Sequence, residues 1–128
     1  MGQACGLAYI IAFVDNLGMP KGDSLGEFET LILAAVQRLG DDAYAVTIRR
    51  ELTSRARRSA SLGAVHAALD RLADKGFVVF RFSDPLPIPG GRARKYSRVT
   101  PAGMRALRRS VTALARMLEG LQPGIELS

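Results

Sequence analysis

The sequence holds one cysteine, Cys5, one histidine, His66, and no tryptophan. A lone thiol excludes an internal disulfide framework and fits a reducing compartment, so a cytoplasmic setting is expected. One Cys and one His far apart in the chain do not make a zinc site. His66 is the only imidazole available to a nucleophile, and the chain has no GxxxxGK[ST] phosphate loop. Paired carboxylates in an apolar context are also missing, so neither an enzyme nor a bound cofactor is expected. The apolar run Leu7–Val14 falls far short of the roughly 20 residues that span a bilayer. It also lacks the basic lead and small-residue cleavage site of a signal peptide. No membrane partner is expected.

What is present points toward a polyanion. The chain has 128 residues, 48% of them hydrophobic and 23% charged, which suits one ordered domain. Eighteen Lys and Arg, most of them arginine, stand against twelve Asp and Glu for a net charge of +6. With a sequence pI near 10.2, a nucleic-acid partner is the expectation from charge alone. Residues 1–18 contain no Lys or Arg and one acid, Asp15. Met19-Pro-Lys-Gly-Asp follows, so Met19 is the expected natural start and residues 1–22 an N-terminal extension.

Periodicity predicts four helices and a hairpin. Phe28, Leu31, Ile32, Ala35, Val36 and Leu39 form an apolar stripe that Gly40 ends. Tyr44, Ile48 and Leu52 mark a second helix, with Arg49 and Arg50 outward. The segment Arg55-Ala-Arg-Arg58 then leads into SLGAVHAALDRLADKGFV, residues 61–78. In that third helix Ser61 reads as the N-cap, Leu62, Val65, Leu69 and Leu72 as the buried stripe, and Gly76 as the closing residue. The opposite face opens with Gly63, Ala64, His66 and Ala67, small enough for a large rigid object to approach the backbone. A basic linker between helices two and three is what a helix-turn-helix requires.

Phe77–Phe82 then reads as a strand, the prolines at 85, 87 and 89 with Gly90-Gly91 as its tip, and Arg92–Val99 as a basic returning strand. Together they make a wing. Thr100-Pro101 opens the last helix, where Met104, Leu107, Val111, Leu114, Leu118 and Leu121 alternate at three and four. That spacing predicts a coiled-coil-like dimer interface. The expected class is mostly α with a two-stranded β wing: a winged helix-turn-helix over residues 23–100, a dimerisation helix over 101–122, and a tail over 123–128.

These residues resemble the PadR family of winged-helix transcriptional regulators, in its compact branch with one C-terminal dimer helix. The resemblance is carried by LGEFETLILAAVQRLGDDAYAVTIRREL, SLGAVHAALDRLADKGFV, the wing return GGRARKYSRVTPAG, and the last helix. It implies a homodimeric repressor on a palindromic operator of double-stranded DNA, with an unidentified small apolar effector. It also implies that Ser61, Gly63, Ala64, His66 and Ala67 meet the major groove and that Arg92, Arg94 and Lys95 meet phosphate. Tyr44 matches a family aromatic position, and His66 stands where the family usually has tyrosine. Arg57, Arg58, Ser59 and Arg71 complete the expected DNA-contact set. Phe28 and Met117 are the candidates to line an apolar space for an effector. The alternative function is a protein–protein module with a basic surface and no specific operator.

Overall fold

The computed structural model describes residues 24–121 other than Leu86 and Arg92. The expected extension with its start at Met19, and the tail 123–128, lie outside the described residues. Among the described residues the order is α1 (Glu27–Leu39), a 3-10 turn (Gly40–Asp42), α2 (Ala45–Arg55), α3 (Leu62–Asp74), β1 (Val78–Phe82), β2 (Lys95–Val99) and α4 (Pro101–Leu118).

Local chemistry accounts for most of the helix ends. Ser61 Oγ accepts the Ala64 N–H at 3.0 Å, and Thr100 Oγ1 accepts the Gly103 N–H at 3.0 Å. Pro101 takes the first position of α4, where its missing N–H costs nothing. α2 is held less predictably: Thr47 accepts the Tyr44 N–H and donates to the Asp42 carbonyl, so a buried hydroxyl inside the helix does the capping.

One contiguous core joins the four helices and the base of the wing. It is built from Ile32, Leu33 and Val36 of α1, Ile48 and Leu52 of α2, and Val65, Leu69 and Leu72 of α3. Phe77, Val78 and Val99 bring the base of the wing into it, and Ala106 brings α4. The strands pair antiparallel, with Val78 opposite Val99 and Phe82 opposite Lys95. Ser97 N–H also donates to the Ala43 carbonyl at 2.8 Å, which fastens the wing to the turn before α2.

The strands are shorter than expected, for identifiable reasons. Phe77 N–H closes α3 onto the Leu72 carbonyl, and the Phe77 carbonyl accepts from Thr100, so the ladder starts at Val78. At the other end Ser83 Oγ, rather than a backbone carbonyl, accepts the Arg94 N–H, so the return strand starts at Lys95 and not at residue 92.

Glu29 ties α1 to the far end of α3. Its side chain is only 8% exposed and receives Lys75 Nζ at 2.9 Å and Arg71 Nε at 3.2 Å. The Gly26 N–H donates to the same carboxylate, capping α1. Burial pushes the Glu29 carboxyl up, but hydrogen bonds from Lys75, Gly26 and Arg71 outweigh it and hold the carboxyl below its ordinary value of 4.5. A lowered folded-state value means stability that is present above the unfolded value and lost as pH falls through the folded one. Glu29→Gln is therefore expected to cost ~1–2 kcal/mol at pH 7. The gap to the parent should close in thermal melts taken toward pH 3.

Candidate nucleic-acid interface

α3 presents two unlike faces. Val65, Ala68, Leu69 and Leu72 are buried, whereas Ser61, Gly63, His66 and Ala67 are exposed and Ala64 is half-buried. A Cβ built on Gly63 would meet only Ser61 Oγ, at 3.9 Å. No intramolecular contact therefore requires glycine there, and glycine inside a helix is unfavourable by roughly 1 kcal/mol against alanine. The bareness of this face faces outward.

The linker from α2 to α3 makes a tight corner. Ala56 and Arg58 N–H both donate to the Leu52 carbonyl at 3.0 Å, which forces Arg57 to φ +54°. That left-handed conformation disfavours any residue with a Cβ, and arginine has no short polar group to relieve it. Arg57 is exposed, and no described carboxylate lies within ion-pair distance of it. Ser59 beside it is also exposed. Arg57→Gly should raise stability by about 0.5–1 kcal/mol in denaturant unfolding. The same change should weaken DNA binding and reduce its salt slope by about 1 for each chain bound if the guanidinium meets phosphate.

The other described basic residues expected at DNA also make contacts within the chain. Arg58 reaches Glu27 at 3.3 Å and lies over the Phe28 ring at 5.1 Å. Arg71 belongs to the Glu29 cluster at the opposite end of α3 from Ser61. Arg94 lies 4.2 Å over the ring of Tyr44, which meets Tyr96 edge-on at 5.5 Å. Lys95 lies over Phe80 at 4.2 Å and reaches Asp70 of α3 at 3.4 Å. Arg94 and Lys95 thus attach the wing to the start of α2 and to α3, while Arg92 lies outside the described residues. Arg81 was not among the expected residues. It projects from the outer face of β1, stacked on Tyr96 at 4.5 Å, and strand parity was the signal that places it there.

α4 divides lengthwise. Gly103 and Ala106 are buried, with Met104 and Leu107 packed against the core. Beyond them Val111 is 53% and Leu114 61% exposed and Leu118 is half-buried; α4 ends at Leu118, so Leu121, 50% exposed, lies past a helix that was expected to run through residue 122. Met117 is 77% exposed and Phe28 sits beneath Arg58, so these two do not enclose an effector space.

The sequence matches the Transcriptional regulator PadR-like family over residues 32–109. No curated protein sequence matches it. A transcriptional regulator from Clostridium thermocellum is similar in structure, with a TM-score of 0.60 at 17% identity, covering 77% of this chain and 92% of that one. A PadR family transcriptional regulator from Eggerthella lenta gives 0.59 at 21% identity, covering 80% and 88%. A PadR family transcription regulator from Clostridium difficile gives 0.56 at 22% identity, covering 75% and 98%. Family match and winged-helix fold converge: the chain belongs to the PadR-like family of DNA-binding transcriptional regulators.

Proposed function

We propose that this chain is a homodimeric cytoplasmic repressor that binds a palindromic operator. The observation that carries the reading is the leading face of α3, small and mostly exposed, on which no packing contact requires Gly63 to be glycine. A backbone bared in this way enters a major groove roughly 12 Å wide. Ser59, Ser61 and His66 border it, and no Asn, Gln or Arg occupies positions 62–68. Specificity then rests on thymine-methyl contacts to Ala64 and Ala67 and on DNA shape.

α4 serves as the dimer helix, which is supported by its exposed apolar residues Val111 and Leu114. Residues 23–100 form the DNA-reading unit. Arg57 supplies phosphate attraction beside α3. Arg58, Arg94 and Lys95 add further phosphate contacts, four in each chain with Arg57, and Tyr44 is the platform for Arg94.

Fluorescence-anisotropy titration against duplexes tiling the DNA upstream of the protein's own gene, at two salt concentrations, tests the reading. The expected result is tight binding to one palindrome-bearing duplex, two chains per duplex. If about eight phosphates are engaged, log K falls with log salt at a slope near about −7. Equal weak binding to every duplex would reject the operator and leave the basic surface to a protein partner.

A further inference from the structure

α4 carries a second feature, on the side away from its apolar stripe. Arg105, Arg109 and Arg116 each stand two residues before a stripe residue, Leu107, Val111 or Leu118. Two residues turn a helix by about 200°, so these arginines line the opposite face. They span roughly 16 Å of helix axis, with Arg108 at their flank. All four side chains are exposed, and none lies within ion-pair distance of a described carboxylate. Along α4, Pro101–Leu118, there is no acidic residue. Ser24 and Leu25 lie beside these arginines, and Lys75 Nζ donates to the Ser24 carbonyl at 2.7 Å. Lys75 caps α3 at the end away from Ser61. The arginine face and the leading face of α3 therefore belong to opposite ends of that helix, about 20 Å apart along its axis.

We infer that this face binds the sugar–phosphate backbone of a second DNA duplex, so that the protein bridges two duplexes. Over 16 Å a duplex presents roughly five phosphates on each strand, enough to meet every arginine of the face. The guanidinium fork meets phosphate two-point, and such contacts carry no sequence preference. Four uncompensated guanidiniums along one helix also repel one another, and a polyanion laid across them removes that standing cost. A basic helix that lies on an anionic membrane buries its apolar face there as well. On α4 the apolar face is half a turn away, with Leu107 packed on the core and Val111 and Leu114 assigned to the partner subunit. DNA asks for the charge alone. Because the stripe and the arginines share no side chain, dimer and second duplex do not compete.

The inference rests on the regulator reading, which puts the first duplex at α3. Streptavidin beads carrying a biotinylated duplex are mixed with the full chain and a fluorescent duplex, and the fluorescence retained on the beads reports bridging. The parent should retain the second duplex at low salt. The variant Arg105→Gln/Arg109→Gln/Arg116→Gln should lower retention roughly tenfold or more, while its thermal melt, its mass in sedimentation and its salt slope on the operator stay those of the parent. Arg105→Lys/Arg109→Lys/Arg116→Lys should keep most of the retention, since phosphate asks for charge. Gly63→Leu, which blocks the leading face of α3, should still hold one duplex weakly, with a salt slope of about −3 to −4 per chain. Undiminished retention in the glutamine variant would overturn the proposal. So would an equal loss of operator affinity, which would place α4 in the operator interface. Binding of Gly63→Leu to phosphatidylglycerol vesicles and to no duplex would overturn it in favour of a membrane. Failure of the α3 reading shows separately, as full operator affinity in Gly63→Leu.

Discussion

Gly103→Ala should lower the melting temperature by roughly 10–20 °C, corresponding to about 2–3 kcal/mol for a domain of this size. A Cβ at Gly103 collides with the Phe77 carbonyl oxygen and lies 2.8 Å from Val99 Cγ1. Neither neighbour is free to retreat. The Phe77 carbonyl accepts the Thr100 N–H at 3.0 Å, and Val99 is paired with Val78 at the base of the wing. Alanine's better helix propensity returns at most ~1 kcal/mol, so crowding decides the sign. Thermal melts of the parent and the variant at one protein concentration check this. An unchanged melting temperature would mean that α4 slides along the wing base without loss, and that its contact with the domain is loose.

Gly63→Leu should do the reverse: leave the fold intact and abolish tight DNA binding. The new side chain meets open space within the protein and gains helix propensity of up to about 1 kcal/mol. In the proposed complex the same volume stands between the helix backbone and the floor of the major groove. Affinity should fall at least tenfold, about 1.4 kcal/mol or more, on every duplex tested. Gly63→Ala, adding one methyl, should be at least as stable as the parent and lose less affinity. Paired melts and anisotropy titrations separate the two effects. Full affinity in Gly63→Leu would remove the leading face of α3 from the DNA interface.

The two glycines mark how far a sequence can be read. Both sit in the opening turn of a helix after a hydroxyl cap, Ser61 or Thr100, and the string alone does not distinguish them. The caps themselves, the closing Gly40 and Gly76, and the apolar stripes were legible because each depends on neighbours within one or two helical turns. Glu29 was not. It sits in phase with the buried stripe, yet its partners lie 42 and 46 residues away, so a buried carboxylate looks like an ordinary first-turn acid. The basic residues were legible in number and not in employment. Arg58, Arg94 and Lys95 were expected at DNA, and that the fold also brings aromatic rings beneath them was not legible. The stripe on α4 was read correctly as apolar. Its division into a half packed on the domain and a half left exposed depends on where the wing ends, which periodicity does not encode.

No loop separates the wing from α4: Val99 ends a strand, Thr100 caps, and Pro101 begins the helix. A rod held to the domain as far as Leu107 and free from there to Leu118 is a lever arm about 16 Å long. In a dimer joined through the free halves, tilting each rod by 10° would displace its domain by about 3 Å, close to the roughly 3.4 Å rise of one base pair. The distance between two such reading heads would then be set by an angle, and a few degrees would decide whether both fall in step with the same duplex.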